Sequence, residues 1–165
     1  QQRLMDDDWQ LLDRRHQLCA ALEMQLLEDG QLTIEQTHLD SWNQGAMPSS
    51  PYQEKLQQRF EQLVALAKAP EATDAQLVES DKQLRLLCIR LEILAGQPTP
   101  QADQMLRMEY QINHLAKALQ QHQQGPNRQE IEKIEQLWFC IPFNHCHPEL
   151  RERFESLLET LLGVS

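Results

Sequence analysis

Between Cys140 and His147 the chain gathers its densest set of soft metal ligands: Cys140, His145, Cys146 and His147 fall within eight residues. Zinc takes about four thiolate or imidazole ligands in a tetrahedron, usually as two separated pairs. Neighbouring side chains of an extended loop point to opposite sides, so His145, Cys146 and His147 cannot readily all converge. That leaves Cys140 with His145 and His147 as a metal or thiol sensor, or a reversible Cys140–Cys146 disulfide, as the chemistry to weigh. The plainer reading is a loop in which His147 caps the helix opened by Pro148, and no metal or cofactor is expected. A Cys–His nucleophile, Cys146 with His114 or His122, would need an orienting group and an oxyanion site, and no sequence pattern supplies either. The chain also lacks G-x-x-x-x-G-K, G-x-G-x-x-G and H-E-x-x-H, and 5 glycines give little material for a phosphate cradle. Asp6, Asp7 and Asp8 suit the start of a helix dipole better than acid–base work. The sequence is read as that of a protein that is not an enzyme.

Arg14 with Arg15, and Arg85 with Arg90, are the nearest approach to a basic patch, with Trp9 as a stacking side chain. They define an alternative reading, binding of RNA or single-stranded nucleic acid. The balance of 15 Lys and Arg against 25 Asp and Glu, a net charge of −10, opposes it. Nucleic acid is therefore disfavoured and a protein partner expected. Four cysteines with no signal-peptide pattern read as reduced thiols in a cytoplasmic protein. No uncharged run of about 18 residues is present, so no membrane span is expected. Gln1-Gln2 at the start, in place of an initiator Met, reads as a piece of a longer polypeptide.

The elements that must position these groups are helical. Of 165 residues, 27 are Leu and 24 are Gln, and turn residues are scarce. Leu11, Leu12, Leu18, Cys19, Leu22 and Leu26 repeat at helical spacing over residues 8–28, with Gly30 as a stop. A Thr33/Gln36 capping box opens a short helix through Ile34 to Trp42, and a turn covers residues 45–51. Pro51 opens a helix with Tyr52, Leu56, Phe60, Leu63 and Leu66 inward, ending before Pro70. The next pattern, Leu77, Leu84, Leu87, Cys88, Leu91 and Leu94, runs from Asp74, or from a cap at Ser80, to Gly96. Thr99-Pro100 caps a helix whose stripe of Met105, Met108, Ile112, Leu115 and Leu119 is expected in the core. After Gly125-Pro126, Asn127 and Glu130 recap a helix with Ile131, Ile134 and Trp138. The last helix carries Leu150, Phe154, Leu157, Leu158 and Leu161. The expectation is an all-α helical bundle of about seven helices.

Two words recur. Cys19-Ala20-Ala21-Leu22-Glu23 matches Cys88-Ile89-Arg90-Leu91-Glu92, and each is followed by Trp, then Pro, then Arg-Phe: Trp42, Pro48 and Arg59-Phe60 against Trp138, Pro142 and Arg153-Phe154. Trp to Phe spans 18 residues in the first copy and 16 in the second, whereas Glu to Trp spans 19 against 46. Two imperfect repeats follow, residues 1–72 and 73–165, the second with an inserted helix at about 97–124. Trp and Phe are expected to fill each centre. The Arg before the Phe lies about 100° around the helix, at a core edge, so Arg59 is expected to pair with Glu23 and Arg153 with Glu92.

Leu39 to Trp42 with Pro48 and Arg59-Phe60, and Leu137-Trp138 with Pro142 and Arg153-Phe154, resemble the bacterial domain-of-unknown-function family numbered 349. Residues 88–96 with Pro98, Met105 to Met108 and Tyr110-Gln111 resemble the C-terminal part of its long proteobacterial members. The resemblance covers most of residues 15–165. It implies a helical repeat at the C-terminal end of a larger cytoplasmic bacterial protein, and it transfers no catalytic residue. The turn after Trp138 departs from the pattern, with Cys140 and a polar Asn144 to His147. The function expected is a noncatalytic interaction or scaffold module, with a partner groove in the least repeated segment, 98–121, where Arg107 and Tyr110 are the candidate contacts.

Overall fold

Regular apolar spacing with few breakers is realised as seven α-helices and no strand among the described residues, which in this computed structural model are 6–44, 51–114 and 128–163. They are α1 Asp6–Asp29, α2 Gln36–Trp42, α3 Pro51–Lys68, α4 Thr73–Ala95, α5 Gln104–Asn113, α6 Arg128–Cys140 and α7 Pro148–Leu162. Short 3-10 turns precede α4, α5 and α7. Gly30 and Gly96, which follow the two helices bearing the repeated Cys–Glu word, have φ of +74° and +66°. This left-handed conformation closes a helix at low cost only where no Cβ is present. No helix among the described residues is long and apolar enough to cross a membrane.

The described residues fall into two compact units. The first comprises those of Gln1–Ser80 with Phe139–His145, and the second Asp81–Trp138 with Cys146–Ser165. The division lies inside α4, at residue 80, rather than at residue 72 where the repeat pattern places it, and the first unit takes seven residues from the turn after Trp138. In the first unit α1 packs on α2 and α3. Leu11, Leu12, Cys19, Leu22 and Leu26 of α1 are buried with Leu56, Phe60, Leu63 and Leu66 of α3. In the second, Leu84, Leu87, Cys88 and Leu91 of α4, Ile131, Ile134 and Trp138 of α6 and Leu150, Phe154, Leu157 and Leu158 of α7 are buried. The expected Trp–Phe centres are present: Trp42 stacks on Phe60 at 4.3 Å, and Trp138 lies tilted on Phe154 at 4.5 Å.

Several local expectations give way to stronger partners. α2 starts one residue after Glu35, whose backbone N–H donates to His38 Nδ1 at 3.0 Å, so the cap is Glu35 with His38 and not Thr33 with Gln36. Ser80 is not a cap. It is buried mid-helix, where its hydroxyl accepts from Gln76 Nε2 at 3.0 Å. Thr99 is not a cap either: its hydroxyl donates to the buried Glu92 carboxylate at 2.8 Å and accepts from Arg107 at 3.0 Å, and Asp103 is the residue before α5. His147 occupies the position before α7, but makes no side-chain cap bond. Its ring faces Asp81 at 3.6 Å. The stripe expected in the core is exposed instead: Met105 is 72%, Met108 56% and Ile112 68% accessible. Pro48, the turn at 45–50, Leu115, Leu119, His122, Gly125-Pro126 and the cap at Asn127 lie outside the described residues, as do the side chains of residues 6–9.

Candidate functional site

Cys19 and Glu23 lie one turn apart on the buried face of α1, and His16 lies two turns before Glu23, so a 3.6-residue period brings all three toward α3. From α3, Arg59 meets Glu23 in a bidentate fork, Nε to Oε2 at 2.9 Å and a terminal nitrogen to Oε1 at 2.6 Å. Both side chains are fully enclosed. The other terminal nitrogen of Arg59 donates to His16 Nδ1 at 2.8 Å and to the Phe139 carbonyl at 2.6 Å. His145 Nε2 meets Glu23 Oε1 at 3.0 Å.

The chemistry fixes both tautomers. A guanidinium only donates, so His16 carries a bare Nδ1, and a carboxylate only accepts, so His145 carries its proton on Nε2. Burial, then the Arg59 charge, lowers the His16 pKa to about 4. Burial alone would raise the Glu23 pKa, but hydrogen bonds from His145 and Arg59, with the Arg59 charge, hold it below the usual carboxylate range. Phe143, fully buried, has φ of +60°, costly for a bulky residue. It lies in the same 139–145 segment that closes the pair, and Asn144 holds that turn by donating to the Ile141 carbonyl at 2.9 Å.

The second unit repeats the pair with a different closure. Arg153 Nε donates to Glu92 Oε2 at 2.8 Å and a terminal nitrogen to Oε1 at 2.9 Å, while its other terminal nitrogen reaches Asp103 at 2.7 Å. Thr99 completes the Glu92 shell. Asp103, also buried, accepts from Arg85 at 3.4 Å. Here the closing groups lie within about a dozen residues of Glu92 in sequence, whereas Phe139 and His145 come from far along the chain. Both pairs expected from the repeated words are therefore formed. His16, Thr99, Asp103 and the Phe139 carbonyl were not foreseen. The signal for His16 was its place on the Cys19–Glu23 face of α1.

The loop ligands take other partners: His145 meets Glu23 at 3.0 Å and His147 faces Asp81 at 3.6 Å. The Cys140 thiol donates to the Tyr52 carbonyl at 3.7 Å, and burial pushes its pKa up to about 11. No group of three His, Cys, Asp or Glu side chains placed to hold a metal ion occurs among the described residues. Burial likewise pushes Cys19 and Cys88 up to about 12, far from the thiolate a sensor needs.

The basic pairs are mostly committed. Arg15 is buried over Trp42, Arg85 binds Asp81 at 3.0 Å, and Arg90 binds Glu130 at 2.9 Å. Arg14 is exposed and reaches Gln44 at 3.4 Å. Arg107, a candidate partner contact, instead donates to the Gln97 carbonyl at 2.7 Å and to Thr99 at 3.0 Å. Tyr110 is half-buried and stacks on His114 at 4.1 Å. The exposed large apolar groups of α5 are Met105, Met108 and Ile112, which share one face at spacings of three and four.

Comparison of the chain with protein-family models, with curated proteins and with solved structures finds no match in any of the three. The resemblance to family 349 thus rests on the residues quoted for it.

Proposed function

We propose that this chain is a noncatalytic interaction module, a helical repeat of a larger bacterial cytoplasmic protein related to family 349, which takes a protein partner on the exposed face of α5. The observation that carries the reading is the stripe of Met105, Met108 and Ile112, more than half accessible on a helix whose Arg107 ties down the preceding loop. Solvent-facing Met and Ile at helical spacing are what a helix-in-groove or helix-on-helix partner covers, and methionine adapts to varied shapes. The occupant we assign is an amphipathic helix with a basic rim, which suits the net charge of −10 and the exposed Glu109 beside the stripe. The buried Glu23–Arg59 and Glu92–Arg153–Asp103 groups support a structural role, because they spend their hydrogen bonds on one another. Nucleic-acid binding is the weaker reading, since Arg85 and Arg90 are neutralised by carboxylates.

The test is capture of partners from a bacterial lysate on the immobilised chain, with and without nuclease, beside a variant carrying Met105→Gln, Met108→Gln and Ile112→Gln. A protein that survives nuclease and is lost with the triple variant, at unchanged melting temperature, is the expected result. The same proteins on both surfaces would remove α5 from the reading, and enrichment of RNA alone would replace the reading with nucleic-acid binding.

A further inference from the structure

Among the described residues two arginines lie over a Trp ring, and they differ in what completes their charge. In the second unit Arg151 sits 5.4 Å from the Trp138 ring centre, and its Nε donates to Glu155 at 2.8 Å. In the first unit Arg15 sits 4.8 Å from the Trp42 ring centre, and the residue is only 6% accessible. Its Nε is buried with no hydrogen-bond partner among the described residues. Burial lowers its pKa, and no carboxylate among the described residues offsets this. Arg59, Arg85, Arg90 and Arg153 each hold a carboxylate. A guanidinium keeps its charge under all ordinary conditions, so a desolvated one resting on a ring face alone lacks its counter-charge.

We propose that Arg15, backed by Trp42, is an anion-binding site that receives a single carboxylate, an Asp or Glu side chain of a partner protein, end-on to its terminal guanidinium nitrogens. Nε is enclosed, which leaves the two terminal nitrogens to form the fork that matches two carboxylate oxygens. Arg151 shows the completed state on the other Trp, where Glu155 supplies the anion from within the chain. Arg14, exposed next to it in sequence, adds positive potential that draws an anion in. A polyphosphate backbone would bring many charges toward a chain of net −10, whereas one carboxylate brings one. The site lies in the first unit, so it stands or falls independently of the α5 face.

The test follows the Arg15 Nε–H and Trp42 indole signals of the full chain by NMR during titration with three probes. These are N-acetylated, C-amidated Gly-Glu-Gly, the matched Gly-Gln-Gly, and inorganic phosphate. The Glu peptide should shift both signals saturably and bind at least about tenfold more tightly than the Gln peptide. Arg15→Lys, which keeps a charge and an apolar stem on Trp42 but loses the fork, should weaken the Glu peptide by a similar factor. Equal effects of the two peptides, or undiminished Glu-peptide binding in Arg15→Lys, would overturn the proposal. Tighter binding of phosphate than of the Glu peptide would also overturn it, in favour of a phosphoryl ligand. The two peptides are compared on the unaltered chain, so a variant that fails to fold leaves the test decisive.

Discussion

A carboxylate and a guanidinium withdrawn from water together are nearly neutral for stability as a pair, and the cost of their burial emerges when one is taken away. Glu23 and Arg59 are in that position, both fully enclosed. Glu23→Gln should therefore destabilise the fold by about 3–5 kcal/mol, read from urea denaturation, because Arg59 would be left charged beside a neutral amide. Glu92→Gln should cost less, since Arg153 keeps Asp103 at 2.7 Å and its side chain is 18% exposed. His16 adds a pH dependence. In the unfolded chain it protonates near its ordinary value of 6.5, and in the fold at about 4. Between those values the unfolded chain binds more protons, so stability is highest above about pH 6.5 and falls as the pH drops toward 4. Glu23, held below its unfolded value, loses its contribution in the same direction at still lower pH. Between pH 7 and pH 5 the His16 contribution amounts to about 2 kcal/mol. His16→Gln, which offers Arg59 an oxygen with no titration, should show a correspondingly smaller loss over that interval. An unchanged loss would remove His16 as its source.

At the scale of the element, the loop before α5 is held by the helix that follows it. Arg107 bonds the Gln97 carbonyl and the Thr99 hydroxyl, and Thr99 in turn bonds Glu92. Arg107→Ala should lower stability by about 1–2 kcal/mol, while Met108→Gln, on the exposed face, should stay within about 0.5 kcal/mol; paired thermal melts check both. This reverses the role the sequence suggests for these residues, and the reason is general. Spacing tells which side chains share a helix face, so α1, α3, α4 and α7 are legible from their Leu positions. It does not tell whether anything covers that face, so the Met105–Met108–Ile112 stripe reads as core when it is surface. The Glu–Arg pairs were legible because each occurs twice in the same order. Their closures were not. Thr99 and Asp103 look like helix-start residues, and nothing local to 139–145 marks those residues as belonging with α1 and α3.

The whole molecule is organised by a chain that passes between its two units at 80/81, 138/139 and 145/146, and the first two of these points lie inside helices α4 and α6. Melting the part of α4 that belongs to the first unit would break that helix's hydrogen-bond ladder partway along, against the cooperativity of helix formation, whereas α6 gives the first unit only its last two residues. The first unit also draws the groups that close its Arg59–Glu23 pair from residues 139–145, flanked on both sides by chain of the second. Loss of the first unit must therefore release a segment whose two ends are anchored in the second. The two units should unfold as one. Indole NMR signals of Trp42 and Trp138 report them separately, and in a urea titration both native signals should vanish at the same midpoint. Glu23→Gln, though confined to the first unit, should shift the two midpoints equally. If Trp42 alone moved while Trp138 kept its wild-type midpoint, the shared helices would not couple the units, and each repeat would be a separate folding domain.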